Sequence, residues 1–187
     1  MSLPSSSIAL PIGVGFLTFD PVSFAEGIIP LLLVHKPIAV WLFAPASRDQ
    51  HTKIITALKA TGEQLGLKVF VQVGSVQTAK EAVEDGCDIL VVQGTDARGH
   101  QSARGAGLIT LVPEISDMLA DEYKSSDIRI VAAGGVMDGR GIAATLALGI
   151  CIPLTEVLTP ANNSSRSRRR GNGNESKSGL FNVVVRN

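Results

Sequence analysis

Two cysteines, one tryptophan and one tyrosine are all that 187 residues hold of those types, and each scarcity excludes something. Cys87 and Cys151 belong to no CxxC pair and no metal-ligand spacing. Neither a disulfide framework nor a zinc module is therefore available, no metal is expected, and a reducing, cytoplasmic compartment fits best. The aromatic share is 4%, and the arginines near the C-terminus (Arg166, Arg168, Arg169, Arg170) have no aromatic side chains interleaved among them. Nucleic acid is not expected as a partner. Net charge is zero but unevenly spread: residues 1–160 carry 11 basic against 16 acidic side chains, and residues 161–187 carry 6 against 1. Long apolar runs are also missing. The most apolar stretch, 28–46, is interrupted by His35, Lys36, Pro30, Pro37 and Pro45, so it reads as a helix end, a turn and a buried strand rather than a membrane span. No basic segment precedes an apolar one at the N-terminus, and no signal peptide is expected.

What the chain does have is apolar residue, 45% of it, with a mean hydropathy of +0.27, enough for one ordinary globular core. Five short runs rich in Val and Ile, Gly13–Phe16, Ile38–Phe43, Val69–Val73, Ile89–Val92 and Ile128–Ala132, lack the alternation of a half-exposed sheet and read as buried parallel strands. Helical spacing falls between them. Thr52–Leu65 aligns Ile54, Ile55, Leu58 and Leu65; Ser75 can cap a helix carrying Ala79, Ala82 and Val83 that stops at Gly86; Val112–Tyr123 aligns Val112, Ile115, Met118 and Leu119; and Ile142–Leu148 is helix-like. This alternation, without a hairpin signal, selects the α/β class with right-handed crossovers. A (β/α)8 barrel, or part of one, is the leading architecture, while an open doubly wound sheet suits the length better. One domain over 1–150 is expected. The Ser/Arg/Asn/Gly-rich segment beyond it, 151–187, is expected to be a disordered tail, its Leu180–Val185 patch being too short to anchor it.

Chemistry concentrates in two loops. Gln-Gly-Thr-Asp-Ala-Arg-Gly-His (93–100) follows the strand at Ile89–Val92, and Gly134-Gly135 follows the strand at Ile128–Ala132. In such folds the ligand sits at the C-terminal strand ends. Gly134-Gly135 suits either a phosphate cradle of free backbone N–H groups or a tight turn that needs positive φ. His100 suits a general base, because imidazole titrates near neutrality, or a surface residue with a hydrogen-bonding role. Gln93 offers an amide donor and acceptor to a heterocycle edge, and Asp96 suits a loop cap. His35 and His51, in a turn and on a polar helix face, are assigned no chemistry.

The order and spacing of Val-Val-Gln-Gly-Thr-Asp-Ala-Arg-Gly-His (91–100), Ala-Ala-Gly-Gly-Val-Met-Asp-Gly-Arg-Gly (132–141) and the following Ala-Leu-Ala-Leu-Gly resemble the FMN-dependent nitronate monooxygenases, especially their fungal members, over residues 8–149. The resemblance implies a TIM barrel, here incomplete and represented by about its third to seventh strands, with FMN at the strand ends. It implies His100 as the base that takes a proton from the carbon bearing the nitro group. It implies Gln93, Gly94, Gly99, Gly134 and Gly135 as cofactor-binding residues. Nitronates or nitroalkanes and O2 become the expected small-molecule partners, with a carbonyl compound and nitrite as products. Three departures accompany it: Arg98 stands where the family has glycine, Gly15 where asparagine is common, and the sequence after Gly149 where an eighth strand with a Gly-Thr phosphate contact belongs. So abrupt a change at Gly149 is what a shifted reading frame or a retained intron would produce. Two rivals stay open, an FMN-dependent enoyl reductase and an inactive barrel fragment that either binds nothing or serves as a partner-binding module.

Overall fold

Strand and helix alternate because Val/Ile runs and 3.6-residue apolar spacing alternate along the chain, and a computed structural model shows the outcome for residues 10–19, 24–62, 66–97, 99–150, 152–154 and 181–183. Strand β1 (Leu10–Leu17) leads through a single π-helical turn (Phe24–Ile28) into α1 (Ile29–His35). Then follow β2 (Pro37–Phe43), α2 (Arg48–Gly62), β3 (Lys68–Val73), α3 (Val76–Glu84), β4 (Ile89–Gln93), α4 (Leu108–Glu122), β5 (Arg129–Ala133) and α5 (Gly139–Ala147). Strands β1 to β5 are neighbours in chain order and all parallel. That pattern is a succession of βα units turning one way around a common axis.

Helix placement decides between a barrel and a doubly wound sheet. Leu32 of α1, Ile55 and Leu58 of α2, Ala79 and Ala82 of α3, and Leu111, Val112 and Ile115 of α4 pack with Val40, Leu42, Val69, Val71, Leu90 and Val92 on one face of the sheet. The α5 residue Ile142 joins the same cluster. On the other face Trp41, Phe70, Ile89, Val91, Val131 and Ala133 form a separate cluster that includes no helix residue among the described residues. A doubly wound sheet buries both faces under helices, whereas a barrel carries helices outside and packs its inner face against itself. The one-sided arrangement is that of a barrel segment.

Local signals account for most boundaries. Ser75 and Thr78 form a reciprocal capping box for α3, and Gly86 takes the left-handed φ of +90° just past its end. Lys36, at φ +47°, closes α1 and turns the chain into β2. Helix α4 starts four residues before the position expected from its apolar spacing. Its cap is non-local: Asp96 Oδ2 accepts the Leu108 N–H at 2.8 Å from twelve residues away. Pro113 lies inside this helix, and the backbone bond it forfeits would have reached Ile109, on the exposed side.

The sheet carries two further edge strands. Strand β6 (Ile152–Leu154) pairs parallel with β5, and β7 (Phe181–Val183) pairs antiparallel with β1. Pro153 is tolerated in β6 because an edge strand leaves half of its N–H groups unpaired. The other residues of the expected tail, and Arg98, lie outside the described residues. Among the described residues no helix is long and apolar enough to cross a membrane.

Candidate functional site at the strand ends

Parallel strands deliver their C-terminal loops to one end of the sheet, and here the two loops meet. Gln93 lies opposite Ala133 in the β4–β5 ladder, and the Gly94 N–H donates to the Ala133 carbonyl at 3.2 Å. The β4–α4 loop then folds over the β5 turn so tightly that glycine is required. A Cβ built on Gly134 would lie 2.5 Å from the Cβ of Ala97, and one on Gly135 would lie 3.1 Å from that of Asp96. Both glycines also hold positive φ, +92° and +73°. Space that an absent side chain leaves at this turn is therefore filled by the chain's own loop.

Gly94 has a packing role of the same kind, since its Cβ would fall 2.4 Å from the Leu108 nitrogen at the start of α4. Gly99 differs. It has φ +84° and open space where a Cβ would stand. At α5 the first N–H groups are already partnered: Asp138 accepts from Arg140 N at 2.9 Å and Gly141 N at 3.2 Å, and its carboxyl is held below the usual range, chiefly by the Arg140 guanidinium 2.6 Å away. An anion would have to use the turn instead, where the Gly135 and Val136 N–H groups have no acceptor among the described residues.

The inner sheet face beneath the loops is graded from apolar to polar. Side chains alternate along a strand, so Phe70 and Gln72 share a face, as do Ile89, Val91 and Gln93. Trp41 pairs with Phe70, Phe70 with Ile89, and Gln72 with Val91, which sets a half-buried aromatic and aliphatic floor below two glutamines at the strand ends. Gln72 donates from Nε2 to Gln93 Oε1 and to the His100 carbonyl at 3.3 Å. His100 itself is exposed on the loop above. A flat heterocycle with polar edges matches such a platform, apolar below and hydrogen-bonding at its rim. Sequence reading missed Gln72, although a lone polar residue near the C-terminal end of the apolar run Val69–Val73 was its signal.

His51 is corrected. It is buried, 7% exposed, rather than set on a polar helix face. Thr18 donates its hydroxyl proton to the Phe43 carbonyl at 2.9 Å, so the contact of Thr18 Oγ1 with His51 Nε2 at 3.0 Å requires the ring to donate. Burial pushes the imidazole down to about 4, with Asp85 opposing and Arg48 assisting. The neutral ring thus ties α2 to the ends of β1 and β2. Beside it lies a cavity of about 60 Å³ bounded by Arg48, Thr78, Glu81 and Asp85. It sits on the helical side, against Val71 and Ala82, and its volume suits a water or two and is far too small for a cofactor. Among the described residues no cluster of three His, Cys, Asp or Glu could hold a metal ion.

Residues 35–151 match the family model described as nitronate monooxygenase. Nitronate monooxygenase of Neurospora crassa is 44% identical over 151 residues, covering 74% of this chain and 39% of that protein. The structure of FabK from Thermotoga maritima superposes with a TM-score of 0.59 at 29% identity, covering 75% of this chain and 39% of that one. Nitroalkane oxidase from Streptomyces ansochromogenes gives 0.50 at 27% identity, covering 67% and 35%. The chain spans about two-fifths of the length of the curated relatives it matches.

Proposed function

The chain belongs to the nitronate monooxygenase family, and from that premise we propose that its strand-end loops form a flavin site, FMN in particular, for the oxidation of nitronates or nitroalkanes with O2 to a carbonyl compound and nitrite. What carries this reading is the meeting of the Gln93–His100 loop with the Gly134-Gly135 turn over one inner sheet face. The residues fit the cofactor. Trp41, Phe70 and Ile89 offer a half-buried floor for a flat ring, Gln93 an amide for its polar edge, and the Gly135 and Val136 N–H groups a place for a phosphate. When bound, the flavin supplies the electron sink and the route to O2.

The chain's own contribution is a proton and a position. His100 Nδ1 or Nε2 takes the proton from the carbon bearing the nitro group, and the open space at Gly99 beside it admits the substrate. Gly94, by letting α4 pack directly against the end of β4, fixes where that loop starts. An enoyl reductase would use the same cofactor, and reduction of an enoyl thioester by a nicotinamide would mark it instead. The test is His100→Ala assayed with a nitroalkane and with its preformed nitronate. A positioned base contributes on the order of 10²–10⁴-fold where a proton must be removed, so nitroalkane turnover should fall by that factor while nitronate turnover survives. Equal losses on both substrates would remove His100 from the role of base.

A further inference from the structure

Hydrogen-bond direction at the ends of β3 and β4 is set by a group that has no choice. The His100 carbonyl can only accept, so the Gln72 amide must turn its NH2 toward it, and it does so at 3.3 Å. With its NH2 in that corner, Gln72 can meet Gln93 only through an acceptor, which is Gln93 Oε1. The Gln93 Nε2 protons are then left for something else, and they have no acceptor among the described residues. We propose that Gln72 is a positioning residue that fixes the polarity of Gln93, so that Gln93 donates to its ligand and selects an acceptor there, a carbonyl oxygen or an unprotonated ring nitrogen.

The relay from His100 through Gln72 to Gln93 stands on geometry alone, whereas its consequence for the ligand rests on the flavin reading. Two substitutions separate the directions. Gln93→Glu keeps an acceptor facing Gln72, so the relay survives while the donor to the ligand is lost. Gln72→Glu removes the donor that both the His100 carbonyl and Gln93 Oε1 require, and it forces the Gln93 amide to turn its NH2 inward. Opposite tolerances follow.

In ¹⁵N-edited spectra of the full chain without cofactor, the Gln72 side-chain NH2 should be the downfield, slowly exchanging one. It should move further downfield in Gln93→Glu, where the acceptor becomes charged. In Gln72→Glu the Gln93 NH2 should take over that character. Titration with FMN, followed by flavin fluorescence quenching, should show binding weakened about ten- to a hundred-fold by either glutamate. Gln72→Leu, which frees Gln93 without inverting it, should cost less. Circular dichroism confirms folding, and Gln93→Glu with Gln72→Leu carries the test if Gln72→Glu fails to fold. A protected Gln93 NH2 in the parent chain would overturn the proposal, as would unchanged FMN affinity in both glutamate variants. Should the parent chain bind no FMN, the flavin reading fails, and the amide spectra alone decide the relay.

Discussion

Gly134→Ala tests whether the two site loops are locked together as the structure shows. The new Cβ would stand 2.5 Å from the Ala97 Cβ, 3.0 Å from its Cα and 3.2 Å from its nitrogen, at a φ of +92° that L-residues avoid. Backbone strain of this kind costs about 1–3 kcal/mol. Overpacking against a neighbour that is itself backbone adds about 1–3 kcal/mol. A total of about 2–6 kcal/mol is a large share of the ~5–15 kcal/mol that holds a typical domain together. Ala97→Gly in the same chain removes the worst contact but leaves the 3.0 and 3.2 Å approaches, so rescue should be partial, with a coupling of about 1 kcal/mol in a double-mutant cycle. Gly139→Ala is the control. Its Cβ meets nothing within 4 Å, and it opens α5, so the effect should stay within about 0.5 kcal/mol or favour folding. Urea unfolding with a constant m-value reads the parent, both single variants of the cycle, the double variant and the control. A cost below about 1 kcal/mol for Gly134→Ala, or no rescue by Ala97→Gly, would refute the interlock.

Two further outcomes follow from buried titratable groups. The His51 imidazole is held at about 4 when folded and lies near 6.5 when unfolded. Its stabilising contribution is therefore complete above pH 6.5 and is lost as pH falls from there toward 4, by about 3 kcal/mol. His51→Gln should flatten that part of the stability profile, and an unchanged slope would show the ring to be solvated. Burial, reinforced by Asp88 and opposed by Lys59, pushes the Cys87 thiol up to about 12. In a Cys151→Ser background, Cys87 should stay unlabelled by a disulfide reagent at pH 8 until urea unfolds the chain; labelling within minutes in native buffer would contradict its burial.

The parallel strands and most helices were legible because they rest on local pattern: a Val/Ile run at Ile89–Val92 has few other uses, and Ser75 followed by Thr78 builds a cap that needs no distant partner. The start of α4 was not legible, since its cap is an aspartate twelve residues earlier. His51 defeated the reading for the same reason. Helical periodicity places it among polar neighbours, and only the docking of Thr18 at the end of β1 shows that it is buried. At the site, the sequence identified Gln93, His100 and the paired glycines as a group, and the structure brings their loops together. It could not tell that the hollow at Gly134 and Gly135 is filled by Ala97 and Asp96, because which loop crosses a turn is a tertiary fact. Gln72 is intermediate: its facing was written in the strand period, but its meaning came only with the His100 carbonyl beside it.

The central claim is that these loops bind a flavin with its phosphate at the Gly134-Gly135 turn, and a paired titration of this 187-residue chain with FMN and riboflavin tests it most directly. Fluorescence quenching should saturate with FMN. Riboflavin, which lacks the phosphate, should bind at least about tenfold more weakly, the worth of hydrogen bonds to a charged group. Equal affinity for the two would remove the phosphate from the turn, and quenching by FMN that fails to saturate would contradict the flavin site altogether.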